Sequence, residues 1–366
     1  MSRLDQATEV ISLASDLGLR VHNNPVNAIV NFCLERIQFW VINAGNIITI
    51  TDLESLVTQR LQMIFEEIRS DSDFNRIEEQ YATGKKDLIF ATMRFRFNDA
   101  NNPTYGILIR RKNVDADAPD LYVAVIDCRG KKLARRFFTR WHEIAHRLTT
   151  ANDQMEPKFR SEKDPIEQLM DEIAGQIGFY NPIFCPAFER AHQGNSLLLF
   201  NTIQTVINDA FPTASFQATL CACARQLPTP VIYLEAALGH KAAIKRKIND
   251  KSPKLFDMGE PPAGELRAFR VVPNLSASQD GFIIPTNMRV PESSAIHSLF
   301  MSNEMQDGRG REDLSMWVDS KGKCLEQRAI AVECRKLFDQ VIAIIQPTEP
   351  KRLNPKRTHS TGGFFD

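Results

Sequence analysis

The sequence has no uninterrupted apolar run approaching the roughly eighteen residues of a membrane span. It also has no net charge, because forty-five Lys and Arg cancel forty-five Asp and Glu. The first absence argues against a spanning helix. The second removes the whole-molecule field that steers basic proteins onto nucleic acid or anionic lipid, so any such contact must come from a local patch. There is no CxxC pair: seven cysteines are scattered from Cys33 to Cys334, and only Cys221 and Cys223 lie close together. An odd, dispersed set argues for reduced thiols and against a cysteine-ligated zinc site. The start, Met1-Ser2-Arg3-Leu4-Asp5-Gln6, lacks the apolar run and small-residue cleavage site of a secretory signal, so a cytoplasmic location is expected. No internal repeat is visible.

What is present is ordinary for a globular chain: 366 residues, 43% hydrophobic and 25% charged. At roughly 150 residues per domain this suggests two to three domains, with a core that needs no disulfide or metal merely to fold. The first ninety residues read as mostly helical, with apolar residues at helical spacing through Ala28, Ile29, Phe32 and Ile37 and again from Leu53 to Ile64. Leu88 to Phe97 ends in an alternation of Met93, Phe95 and Phe97 with Arg94 and Arg96, the period of a half-buried strand. Tyr105 to Ile109 and Leu121 to Ile126 are further expected strands, joined by the turn-rich stretch from Asn113 to Asp120.

This small sheet feeds a helix from about Leu133 to Leu148, with Leu133, Phe137, Trp141, Ile144, Ala145 and Leu148 on its core side and Arg135, Thr139, His142 and His146 on another. After a polar loop, Asp164-Pro165 opens a second helix: Asp caps bare N–H groups, and Pro suits the first helical position because its missing donor would be unused there. Ile166, Leu169, Met170, Ile173, Ala174 and Ile177 form its expected buried stripe, closed by Gly178 and Pro182. From Asn195 to Asp250 the chain again reads as helical, with a break at Phe211-Pro212-Thr213 and a cap at Ser215. Gly259 to Gly264 is a linker pattern, followed by apolar stretches at Phe269–Val272, Phe282–Pro285, Leu314–Val318, Ala329–Val332 and Val341–Ile345, with a turn at Ser320 to Lys323. The expected fold class is α+β, laid out as an amino-terminal domain over residues 1–190, a helical, helix-turn-helix-like stretch 191–258, a small antiparallel α+β domain 259–346, and a mobile tail 347–366 rich in Pro, Lys and Arg.

The chemistry concentrates in His142-Glu143-Ile144-Ala145-His146. Four residues apart on a helix is one face, so both imidazoles can meet one zinc ion while Glu143 reaches toward a metal-bound water. A catalytic zinc needs a third protein ligand and one open position. Glu167, twenty-one residues after His146, is the candidate; Asp171, one turn on, could accept the free ring N–H of a ligating histidine, and Asp171 and Glu172 are fallback ligands. The strand before the first helix is expected to supply a sheet edge for an extended peptide.

Plainer readings exist for each residue. Glu143 could pair with Arg147 on a solvated face, Glu167 could complete a capping-box-like arrangement with Asp164, and Asp171 and Glu172 could be solvated helix charges. In the middle stretch, Phe216, Leu220, Cys221 and Cys223 make the second helix core-like and leave Arg225 as its sole cation, which weakens a DNA-reading role. Lys245-Arg246-Lys247 with Lys241, Lys251 and Lys254 could touch phosphate, though such runs usually form a solvated helix face.

The stretch Arg136-Phe137-Phe138-Thr139-Arg140-Trp141-His142-Glu143-Ile144-Ala145-His146, followed by Ile166-Glu167-Gln168-Leu169-Met170-Asp171-Glu172-Ile173-Ala174 and Pro182, resembles the ImmA/IrrE metallopeptidases over about residues 121 to 186. The resemblance implies a zinc peptidase fold of the gluzincin type, with His142, His146 and Glu167 as zinc ligands and Glu143 as catalytic base. It implies a regulatory endopeptidase whose substrate is a helix-turn-helix repressor in a stress response or in mobile-element control. The longer members carry a helix-turn-helix-like middle and a GAF-like sensor domain, an arrangement similar to the layout above. Trp141 stands where the family usually has a small residue, which would narrow the cleft. Tyr180, His192 and Arg270 are candidates for a second oxyanion donor by residue type alone. The reading from another class is a DNA-binding or ligand-sensing transcriptional regulator whose zinc is structural or vestigial; hydrolysis needs Glu143, whereas a structural site needs only the ligands.

Overall fold

A computed structural model describes residues 4–20, 24–45, 47–81, 88–99, 104–111, 120–150, 164–241 and 264–349. The chain is mixed α+β. It divides into two compact units, Met1–Gly194 with Asn201–Ala222, and Asn195–Phe200 with Cys223–Asp366. Among the described residues no helix is long and apolar enough to cross a membrane.

The first unit opens with α1 (Thr8–Asp16), α2 (Pro25–Ala44) and α3 (Ile50–Leu61). A capping box at Thr49 and Asp52 starts α3, and Gln62 in the left-handed region stops it. The chain then enters β1 (Met63–Ile68), α4 (Asp71–Tyr81), α5 (Leu88–Asn98), β2 (Gly106–Arg111) and β3 (Leu121–Asp127). The strands form one sheet in the order β1-β3-β2, with β1 parallel and β2 antiparallel to β3. β3 is therefore central and buried on both faces. Its Val123 and Val125 pack with Phe74, Phe90, Met93 and Phe97 of α4 and α5, while Tyr122, on the alternate face, lies under the Arg147 guanidinium. A 3-10 turn, Gly130–Arg135, leads into α6 (Arg136–Thr149), which is followed by α7 (Pro165–Ile177) and α8 (Asn181–His192).

Burial and polar contacts at both ends fix α6. Its apolar stripe, Phe137, Trp141, Ile144, Ala145 and Leu148, is buried. Arg136 pairs with Glu67 of β1, and Arg140 pairs with Glu54 of α3 and with Glu67. At the far end, Arg36 of α2 donates to the Leu148 carbonyl at 3.2 Å, satisfying one of the acceptors a helix leaves bare at its C-terminus. Trp141 is fully buried, so it lies in the core and the expected narrowing of the cleft does not arise. Its ring sits on Gly178, just past α7, where a Cβ would stand 2.9 Å from two indole carbons and 2.8 Å from the Ala174 carbonyl oxygen. Gly178→Ala is therefore expected to destabilise the unit by about 1–3 kcal/mol, the usual cost of overpacking, read as a lower denaturant midpoint with an unchanged slope.

After α9 (Phe200–Ala210) and α10 (Phe216–Gln226), the second unit contains β4 (Ile232–Gly239), β5 (Glu265–Pro273), α11 (Leu275–Asp280), β6 (Met288–Arg289), α12 (Ala295–Met301), β7 (Asp307–Asp313), β8 (Ala329–Leu337) and β9 (Gln340–Pro347). These strands make an antiparallel sheet in the order β6-β5-β4-β9-β8-β7. Leu234, Val332, Ala343, Phe282, Ile296, Leu299 and Trp317 share its core. The segment at 195–200 is held by side chains standing in for a strand: Gln346 accepts from the Leu198 N–H and donates to its carbonyl, both at 2.9 Å, and Glu333 accepts from the Phe200 N–H at 2.7 Å.

Several expectations are corrected here. Leu88 to Phe97 is helix, because Phe90, Met93 and Phe97 are the buried set while Phe95 is exposed, so the helical period outweighs the short alternation. Helix does not run on to Ile64; β1 begins at Met63 and takes its hydrogen bonds from a strand some sixty residues later. Residues 232–239 are strand and not helix: the run Ile232-Tyr233-Leu234 lies between β5 and β9, and a continuously apolar stretch carries no period to tell the two apart. Leu133 sits in the 3-10 turn with its side chain exposed. Phe282–Pro285 makes no strand although Phe282 and Ile284 are buried, and Leu314–Met316 is a 3-10 turn followed by a single bridge, Val318 to Cys324, around the expected turn. β9 continues through Pro347. The joining stretch at 113–119, residues 245–254 with their basic run, the linker residues 259–263 and the tail from 350 lie outside the described residues.

Candidate metal centre

The site is built where α6 meets the first turn of α7. α6 presents His142 and His146 one turn apart, and α7 opens as its sequence dictates: the Asp164 carboxylate accepts the Ile166 N–H at 2.8 Å, and Pro165 takes the first helical position. That start places Glu167 over the imidazoles. His142 Nε2 lies 3.1 Å from Glu167 Oε2, His146 Nε2 lies 3.1 Å from His142 Nε2, and His146 Nε2 lies 3.5 Å from Glu167 Oε2. Three potential ligand atoms thus face one point, and the group could hold a metal ion. The capping-box reading of Glu167 yields to this contact.

The other ring nitrogen, His142 Nδ1, lies 2.9 Å from Asp171 Oδ1. That bond fixes the ring and leaves Nε2 as the atom facing Glu167, the arrangement in which an outer carboxylate orients a ligand and raises its basicity. Glu172 points elsewhere, accepting from Gln176 at 3.1 Å. Asp171→Asn is expected to weaken metal binding about ten- to a hundredfold without abolishing it, measured by competition with a chromophoric chelator; an unchanged affinity would show that Asp171 only decorates the rim.

Electrostatics follow from burial and these contacts. Burial disfavours the imidazolium of His142, but the bonds to Asp171 and Glu167 and the charge of Glu143 outweigh it, and its pKa is pushed up to about 10. Burial would raise Glu167, yet hydrogen bonds from both histidines hold its carboxyl well below the usual range. Glu143 is 4% exposed, and burial pushes its carboxyl up while His146 and His142 pull it down. It is not an exposed partner of Arg147, which lies over Tyr122.

The sheet edge beside this group differs from the expected one. β3, the strand preceding α6, is central; the edge is β2, whose first residue, Gly106, lies against Glu143 and Thr139 of α6. Nothing in the motifs singles out Gly106. The signal available was a glycine opening a strand, which often marks a close approach of another group to the backbone.

The remaining candidates have other surroundings. Tyr180 is buried at the N-cap of α8, and burial raises its hydroxyl pKa. His192 stacks on Phe188 at the end of α8 with ring centroids 5.1 Å apart. Arg270 is in the second unit, 3.0 Å from Glu235. In the middle stretch, Ser215 caps α10 by accepting the Ala218 N–H at 3.2 Å, and Leu220 and Cys223 are fully buried while Arg225 is exposed. All seven cysteines are free thiols. No known family model matches this chain, and no curated protein matches it in sequence.

Proposed function

We propose that the chain is a cytoplasmic zinc-dependent endopeptidase of the kind its motifs resemble, the ImmA/IrrE metallopeptidases. Its substrate on this reading is a protein, a helix-turn-helix transcriptional repressor in a stress response, and its second unit serves as a GAF-like sensor. The observation that carries the reading is the convergence of His142, His146 and Glu167 beside a buried carboxylate and an open sheet edge.

The donor set suits zinc. Tetrahedral zinc with bonds of about 2.0–2.2 Å sets its ligand atoms about 3.3–3.5 Å apart, and the three separations are 3.1, 3.1 and 3.5 Å. His142, His146 and Glu167 would hold the zinc, which would supply Lewis acidity toward the scissile carbonyl and the attacking water. The chain's own residues supply the rest. Glu143 takes the proton of the attacking water and delivers it to the leaving amine. Asp171 keeps the His142 ring in the orientation and tautomer that ligation requires.

β2 supports binding of an extended peptide. The Asp127 N–H donates to the Tyr105 carbonyl at 2.8 Å, and the register sets Gly106 opposite Ile126. Inward and outward bonding alternate along an antiparallel strand, so the N–H and C=O groups of Gly106, Leu108 and Arg110 face away from β3. Among the described residues no strand pairs with that outer side, and a peptide strand added there gains main-chain hydrogen bonds.

The test is to incubate the zinc-loaded chain with the helix-turn-helix repressor encoded nearest to it and to identify fragments by mass spectrometry. Discrete cleavage is the expected result. Tight binding to a defined duplex in a salt series, with the repressor left intact, would replace this reading with that of a regulator carrying a structural zinc.

A further inference from the structure

Gly106 opens β2 at the point where that strand crosses α6. A Cβ built on it would stand 2.5 Å from Glu143 Oε1, 2.8 Å from Thr139 Cγ2 and 3.1 Å from Glu143 Cδ. The space a side chain would fill at 106 is therefore taken by the Glu143 carboxylate and, beside it, the Thr139 methyl.

What gives way if that space is filled depends on which partner is held. The strand is held from three sides. Its preceding residue, Tyr105, is bonded through its carbonyl to the Asp127 N–H at 2.8 Å and lies under the Arg135 guanidinium, 3.9 Å from the ring centroid. Lys132 Nζ donates to the Thr104 carbonyl at 3.2 Å, to the Phe97 carbonyl at 2.9 Å and to Asp127 Oδ2 at 2.7 Å. Beyond Gly106 the strand is laddered to β3 as far as Arg111. Thr139 is buried one turn before Glu143, and a β-branched side chain within a helix has few rotamers to turn to. The Glu143 carboxylate, at the end of three rotatable bonds, is the part free to move.

We infer that Gly106 is a positioning residue for the general base: by lacking a side chain it leaves the recess in which the pinned edge strand confines the Glu143 carboxylate next to the metal-ligating group. The inference rests on the reading of Glu143 as base in the proposed function. It makes the glycine a requirement of the chemistry and not of the turn, since Gly106 does not adopt a positive φ.

The test compares crystal structures of the zinc-loaded parent and Gly106→Ala, together with their zinc content and their hydrolysis of a quenched-fluorescence peptide library. In Gly106→Ala the zinc content is expected to stay at the parental value, β2 to stay in place and the Glu143 carboxylate to turn away by about 1 Å or more. The turnover number should fall at least about tenfold with KM little changed, because a displacement of that size misplaces a proton-transfer group. In a Glu143→Asp background, whose shorter side chain withdraws the carboxylate and leaves the Cβ only the Thr139 methyl to meet, the same substitution should cost at least about threefold less than in the parent; a merely structural glycine would show no such relief. If Gly106→Ala fails to fold while the double variant folds, the clash with Glu143 is demonstrated by that alone. The inference is overturned if β2 lifts and Glu143 stays, if Gly106→Ala turns over as fast as the parent, or if neither variant folds. A displaced Glu143 in a chain whose parent hydrolyses nothing would leave the steric assignment standing and remove the peptidase reading.

Discussion

Glu143→Gln is expected to lower peptide hydrolysis about a hundredfold to ten-thousandfold, the usual contribution of a positioned general base, while zinc content stays at the parental value. The substitution keeps shape and volume in a site where the side chain is 4% exposed, so His142, His146 and Glu167 have no reason to move. What it removes is the ability to accept a proton. The environment favours that role, because burial raises the carboxyl pKa and the neighbouring imidazoles limit the rise, leaving a base nearer the working pH than an exposed glutamate would be. The same burial fixes the sign of the stability effect. A neutral amide carries a smaller desolvation penalty than a carboxylate, so the variant should unfold at the same temperature as the parent or higher. Activity lost with stability kept separates a chemical role from a structural one. A Glu143→Gln variant that cuts as fast as the parent would sink the mechanism.

The second large effect is the pH dependence of metal binding. In the metal-free chain His142 is pushed up from 6.5 to about 10, so between those values it carries a proton that a metal must displace. Affinity for zinc should rise about tenfold per pH unit from near 7 toward 10, and binding at pH 7.5 should release about one proton per chain. Titration calorimetry in two buffers of different ionisation enthalpy measures the release; no release would show that His142 is not a ligand. Without metal the sign reverses. The raised pKa stabilises the folded state fully below about 6.5 and ceases to do so as pH climbs through about 10, whereas the depressed Glu167 contributes above its unfolded value and fades as pH falls below it. Metal-free chain should thus be most stable between these limits, with the zinc-loaded form gaining on it as pH rises.

The legible parts of the site were the local ones. His142, Glu143 and His146 are placed by helical spacing alone, and α7 could be located from Asp164 and Pro165, because caps and proline act over one turn. The central strands β3 and β9 showed as apolar runs at Leu121–Ile126 and Val341–Ile345. What could not be read were features created by distant partners. β1 exists because β3 offers it a parallel ladder, and β4 because β5 and β9 flank it. The identity of the open edge depended on strand order, which nothing in the segment around residue 121 encodes. Gly106 illustrates the same limit: its importance lies in the space beside a side chain thirty-seven residues later.

One of the three metal-facing groups sits at the start of a helix. Glu167 belongs to the first turn of α7, behind the Asp164 cap and Pro165, whereas His142 is in the body of α6 and His146 is in a last turn that Arg36 holds through the Leu148 carbonyl. Helix ends open locally far more readily than helix interiors, so an ion could escape by the unwinding of a single turn, with α6 intact. The Asp164–Ile166 bond would then act as a latch on the dwell time of the ion. Weakening it would shorten the life of the loaded state and expose the cleft to exchange with whatever divalent cations the surroundings supply.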